Sequence, residues 1–92
     1  MNKELKDIKG LINNGETKLA IEKLTELLTS DIDNKDIIYY LLGNAYRKMN
    51  NWQGALNNYQ EAININPDSP AKDAREMMMN IINFYNKDMY NQ

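Results

Sequence analysis

The side chains in this sequence that can do chemistry are amines, guanidiniums, amides, phenols and carboxylates. Among its 92 residues are 11 Lys and Arg, 13 Asp and Glu and six Tyr, with no Cys and no His. Without Cys there is no disulfide, no thiolate nucleophile and no Cys/His metal centre. Without His the commonest general acid–base is missing. What remains is suited to binding. Lys6, Lys9 and Asn13, then Tyr40, Asn44 and Arg47, then Lys72, Arg75 and Met79, are spaced by three and four, so each set lies on one face of a helix. Ile37 and Lys48 stand at the margins of the middle set, and Asn2 precedes the first. The sets hold cations and amides but no Asp or Glu, although the net charge is -2. The acids concentrate elsewhere, among them Glu16, Glu22, Glu26, Asp31, Asp33, Asp36, Glu61 and Asp68. Cations and amides grouped in this way can hold a carboxylate through charge-assisted hydrogen bonds.

Those faces need helices behind them, and the apolar periodicity supplies five. Leu5, Ile8, Leu11 and Ile12 form one stripe over residues 2–13, which Asn13-Asn14-Gly15 breaks. Leu19, Ala20, Leu24, Leu27 and Leu28 form the inward face of a helix over 16–29, and residues 29–34 read as a polar connector. A third helix covers 35–49 and a fourth 52–65. The fourth stops before Pro67, which lacks a donor N–H and pushes Asn66 out of helical geometry. Ser69 is a good N-cap and Pro70 fits the first helical position, so a fifth helix starts there and runs to about Lys87. No segment alternates like a half-buried strand, so the fold class is all-α. Turns within the pairs are short, which makes paired helices antiparallel neighbours.

The chain also resembles itself. Residues 15–20 align with residues 50–55 at an offset of 35, and the same offset carries Tyr39, Leu42, Gly43 and Tyr46 to Ala74, Met77, Met78 and Ile81. The ordered set Tyr39-x2-Leu42-Gly43-x2-Tyr46, Ala55-x3-Tyr59, Ala62 and Pro67 resembles the tetratricopeptide repeat. Tyr39 stands at the family's usual Trp and Tyr59 at its usual Phe. Packing explains the pattern: Gly43 and Ala55 are small where two helices approach, Ala62 is small where the next unit docks, and Leu42, Tyr46 and Tyr59 fill the space between. The match is closest over 36–69. In the first unit Gly15, Ala20, Leu24 and Leu27 fit but the first helix lacks the aromatic and the Gly.

The expected organisation is one domain over 1–92: a first repeat at about 1–35, a second at 36–69, a capping helix at 70–87 and a frayed tail at 88–92. Around the fifth helix, Ala71, Ala74, Met77, Met78, Ile81, Ile82, Phe84 and Tyr85 share one arc. Lys72, Asp73, Glu76, Asn80, Asn83, Asn86 and Lys87 occupy the other, with Met79 the one apolar residue among them. A repeat array needs a terminal element with a polar outer face, so the expectation is an array that closes here rather than a piece of a longer solenoid.

The resemblance implies an interaction module whose first helices line a concave groove. On that footing Lys9, Tyr40, Asn44, Arg47, Lys72, Arg75 and Met79 are the expected groove residues. Their ligand would be an acidic peptide or a free C-terminal carboxylate: cations pair with its charge, Asn44 holds its backbone, and Tyr40 and Met79 make apolar contact. The other reading is a structural or assembly role through homodimerisation or docking on a larger complex, with Phe84, Met89 and Tyr90 as an apolar edge. No catalytic residues, cofactor or metal are expected, because no Gly-rich phosphate loop, nucleophile elbow or metal-ligand spacing is present. The partner class is a protein or peptide, the chain a monomer or weak homodimer. A pI of about 5.0 argues against nucleic acid. The N-terminus has no signal-peptide character and no apolar run approaches a membrane span, so the expected location is cytoplasmic.

Overall fold

The computed structural model describes residues 3–90, with side chains described as far as Phe84. Its helices are α1 (Lys3–Asn13), α2 (Thr17–Leu28), α3 (Lys35–Lys48), α4 (Trp52–Ile65) and α5 (Ala71–Tyr90). Each packs on the next in chain order, most extensively α3 on α4, and α1 also reaches α3. The fold is all-α, in helix pairs stacked along one direction.

The turns that make the pairs antiparallel are built twice in the same way. Gly15 has φ +87° and Asn50 has φ +63°. After each, the chain closes back on the preceding helix: the Glu16 N–H donates to the Leu11 carbonyl at 2.8 Å and the Asn51 N–H to that of Tyr46 at 2.9 Å. These are Schellman closures, in which a left-handed residue lets the next N–H cap a carbonyl one turn back. Gly and Asn are the residues that tolerate that conformation. Asn51 then caps α4, its Oδ1 accepting from the Gly54 N–H at 3.0 Å. Ser69 Oγ accepts from the Ala71 N–H at 3.1 Å, and the Ala74 N–H donates to the Pro70 carbonyl at 3.2 Å. Helical bonding therefore begins at Pro70, with Ser69 as its cap.

The core has two layers. Leu5, Ile8, Ile12, Ala20, Leu24, Ile38, Leu41, Leu42 and Ala45 form the first, joining α1, α2 and α3. Ala55, Tyr59, Ala62, Ala71 and Met78 form the second, joining α4 and α5. Tyr39, Tyr40 and Tyr46 of α3 pack against both. A Cβ on Gly43 would overlap Cδ1 and Cε1 of Tyr59, so only glycine lets α3 and α4 approach as they do.

Three sequence expectations are corrected. Leu19 is 40% exposed, because α2 turns Ala20 and Leu24 toward α1 and α3 and leaves Leu19 on its outer flank. On α5, Met77 is 57%, Ile81 39% and Phe84 65% exposed. A wide apolar arc needs a neighbour on each side; among the described residues α5 packs chiefly on α4 and so buries a narrow stripe, Ala71 and Met78 fully and Ala74 and Ile82 in part. Finally, α5 continues to Tyr90, beyond the expected end at Lys87. The polar arc at Lys72, Asp73, Glu76, Asn80 and Asn83 is exposed. The expectations for Asn2, for the side chains of Tyr85, Asn86, Lys87, Met89 and Tyr90, and for the end of the tail lie outside the described residues. Among the described residues no helix is long and apolar enough to cross a membrane.

Candidate functional site

The stacking of α1 beside α3 leaves a cavity of about 240 Å³ lined by Lys9, Ile12, Asn13, Leu41, Asn44, Arg47 and Lys48. On α1, Lys9, Ile12 and Asn13 lie three and four apart, so one face contributes all three. On α3, Leu41, Asn44 and Lys48 do the same, with Arg47 alongside. Ile12 and Leu41 are buried core residues and make an apolar floor. The rim carries three cations and two amides, and no carboxylate lines it.

Three contacts fix this wall. Lys48 Nζ donates to the Asn13 carbonyl at 3.4 Å, at the end of α1 where carbonyls lack intrahelical partners. Tyr59, on α4, donates its phenolic O–H to Asn44 Oδ1 at 2.5 Å. Burial pushes the Tyr59 hydroxyl up to about 12, with Tyr40 adding to the rise and Arg47 opposing it; the O–H therefore stays a donor well beyond neutral pH. Tyr40 stacks obliquely on Tyr59, ring centroids 6.1 Å apart and planes at 36°.

Of the residues singled out from sequence, Lys9, Asn44 and Arg47 line this one cavity; Tyr40 is not part of its lining and packs against Tyr59. Lys72, Arg75 and Met79 are not among its lining. Lys72 is exposed, Arg75 and Met79 half-buried. Their angular positions about α5, at about 100° per residue, put them together on one flank of the Ala71–Met78 stripe, with Met77 and Ile81 on the other. Sequence reasoning missed Tyr59 as a site residue and read it as core. The available signal was its hydroxyl: a buried Tyr where a Phe is usual brings an O–H that needs a partner. It also placed Lys48 only at the margin, and passed over Ile12 and Leu41 as floor.

A larger depression of about 590 Å³ runs beside Leu19, Glu22 and Glu26, but all of its lining comes from α2 and its C-cap residue Thr29, so it lacks a second wall. Among the described residues no group of three or more His, Cys, Asp or Glu could hold a metal ion.

The chain is similar to known proteins in two ways. A family model, the tetratricopeptide repeat, matches residues 37–69. The solution NMR structure of Bacteroides fragilis protein BF1650 is 59% identical, over 99% of this chain and 92% of that one, with a TM-score of 0.88. No curated protein matches.

Proposed function

Because the chain belongs to the tetratricopeptide-repeat family, whose members are in general protein–protein interaction modules, we propose that it binds a partner's acidic segment or C-terminal carboxylate at the cavity between α1 and α3. The observation that carries this reading is the segregation of charge. Lys9, Arg47 and Lys48 ring one concave site with Asn13 and Asn44 and no carboxylate, in a chain whose net charge is -2. A carboxylate placed there gains charge-assisted hydrogen bonds from the cations, each stronger than a neutral one. The Nδ2 donors of Asn44 add a neutral hydrogen bond to a carboxylate or backbone carbonyl. Ile12 and Leu41 keep the floor dry, which strengthens those interactions. In this reading Tyr59 positions Asn44 and does not itself touch the ligand. Lys72, Arg75 and Met79 have no part in the cavity.

The test is fluorescence anisotropy with a labelled peptide ending in two glutamates and a free carboxylate, beside its C-terminally amidated, glutamine-substituted counterpart. The acidic probe should bind and the neutral one should not. Lys9→Glu and Arg47→Glu should each weaken binding of the acidic probe by about tenfold or more, the scale of one lost charge-assisted bond. Equal binding of both probes, or indifference to both substitutions, removes the reading.

A further inference from the structure

Asparagine is abundant in this chain, but one of these residues is placed to react with its own backbone. Asn14 is the only asparagine followed by glycine. It sits in the turn that closes α1 on α2, where Asn13, Asn14, Gly15 and Glu16 are all exposed. Nothing lies within 4 Å of where a Cβ on Gly15 would stand, so the residue is uncrowded. The twin turn before α4 makes the same closure without the same pair. Gly15 corresponds there to Asn50, also left-handed, and Asn14 to Met49, which has no carboxamide. Asn50 is itself followed by Asn51, whose side chain caps α4 and stands beside the nitrogen that would attack. Asn66 is followed by Pro67, which has no N–H to lose. Two turns of one geometry therefore differ in chemistry, and only the first carries a reactive pair.

We propose that Asn14 is a self-modification site, converted to aspartate and isoaspartate through attack by the Gly15 nitrogen, and that the change undoes the closure of α1 on α2. The Gly15 backbone nitrogen adds to Cγ of Asn14 and gives up its proton to a base in solvent. As the new C–N bond forms, the Cγ–Nδ2 bond breaks, and Nδ2 takes a proton from water and leaves as ammonia. Water then opens the five-membered imide. Addition at Cγ restores the ordinary backbone and yields aspartate. Addition at the main-chain carbonyl carbon yields isoaspartate, with one extra methylene in the backbone. Glycine suits the attacking position because it has no Cβ to obstruct the ring. The folded turn sets the rate. The Gly15 N–H donates to the Ile12 carbonyl at 3.1 Å, flanked by bonds from the Asn14 N–H to the Gly10 carbonyl at 3.0 Å and from the Glu16 N–H to the Leu11 carbonyl at 2.8 Å. Attack requires the Gly15 bond to open, and an exposed helix end opens locally without global unfolding. Both products then oppose closing again. A carboxylate at the C-terminal end of α1 meets the negative end of the helix dipole. The extra methylene of isoaspartate also shifts Glu16 out of register with Leu11. The Asn13 carbonyl, which accepts from Lys48 Nζ at 3.4 Å, is one residue away, so the change reaches the junction of α1 with α3.

The test holds the full chain in warm, mildly alkaline buffer, beside a sample unfolded in urea and beside Asn14→Gln, whose longer side chain disfavours the five-membered ring. Intact mass and peptide mapping by electron-transfer fragmentation follow the reaction. The folded wild type should gain about one dalton at Asn14 ahead of every other asparagine, more slowly than in urea, with isoaspartate among the products. Asn14→Gln should lose that gain. The isoaspartate form, separated by ion exchange, should unfold at a lower urea midpoint than Asn14→Asp, and Asn14→Asp at a lower midpoint than wild type. A folded chain that stays unmodified while the urea sample reacts overturns the proposal, because the closure then protects the site. A mass unchanged in both samples overturns it too, as does modification of another asparagine first. Equal midpoints for the three forms would show that the turn absorbs the change, and the claim that it undoes the closure fails.

Discussion

The Tyr59 hydroxyl donates a 2.5 Å hydrogen bond to Asn44 Oδ1, joining a buried side chain of α4 to a residue that lines the cavity on α3. The bond couples the packing of the second repeat to the chemistry of its concave face. Removing the hydroxyl but keeping the ring separates the two. Tyr59→Phe retains the contacts with Gly43 and Tyr40 and loses the bond, so it should cost about 1 kcal/mol of stability. It should also weaken an acidic probe severalfold by freeing the Asn44 amide to rotate. Urea denaturation and anisotropy measure the two effects; an unchanged midpoint would show that Asn44 finds another donor.

Tyr59 also sets an alkaline limit. Its folded pKa, pushed up to about 12 by burial, lies above the usual 10.0. A raised pKa means that the unfolded chain loses this proton first. The stability it contributes is therefore complete below pH 10 and declines as the pH rises from 10 toward 12. Wild type should lose denaturation midpoint through that window more steeply than Tyr59→Phe. Parallel slopes in the two proteins would contradict this.

Gly43 should tolerate no side chain. Its Cβ would collide with the ring of Tyr59, which is fully buried and has nowhere to move. Gly43→Ala should destabilise by about 1–3 kcal/mol, the range for overpacking, despite alanine's better helix propensity. Thermal melting of the variant checks this, and a stabilised protein would show that α3 and α4 can separate without cost.

The two left-handed turn positions should respond in opposite directions to opposite changes, loss of a Cβ at one and gain of a Cβ at the other. Asn50→Gly relieves a non-glycine residue at φ +63° and should be neutral or slightly stabilising, whereas Gly15→Ala puts a Cβ at φ +87° and should cost about 1 kcal/mol. There is open space around Gly15, so that cost isolates backbone strain from crowding. Matched denaturation curves of the two variants provide the comparison.

Binding at the α1–α3 cavity should be salt-sensitive. Lys9 is exposed, and interactions of exposed charges weaken as the Debye length falls from about 10 Å at 0.1 M to about 3 Å at 1 M. Affinity for an acidic probe should fall steadily over that range. The fall should be shallower in Lys9→Gln, because one screened charge is already gone. A salt-independent affinity would point to apolar contacts as the source of binding.

Much of the fold was legible in particular residues. Pro67 and the Ser69-Pro70 pair marked the end of α4 and the cap of α5, because each acts on its own backbone or its nearest neighbours. The tight approach at Gly43 could be read from the order of small and aromatic residues around it. Half of the candidate site was legible in the same way, since Lys9, Asn44 and Arg47 were recognisable as cations and amides beside an apolar stripe. The Tyr59–Asn44 bond was not, because it joins side chains 15 positions apart across a helix interface. Nor was the contact of Lys48 with Asn13, 35 positions away.

The sequence by itself determined the elements and their pairing. Helical period, caps, the left-handed residues at Gly15 and Asn50, and the spacing of small residues are local properties, and they leave few ways to stack such helices. Only the tertiary structure decided which flank of α5 is covered and where a cavity opens. An apolar arc tells a helix what it can bury; the number and position of its neighbours decide what it does bury. Among the described residues α5 packs chiefly on α4, so Met77 and Ile81, alike in type to the core around them, stay in solvent.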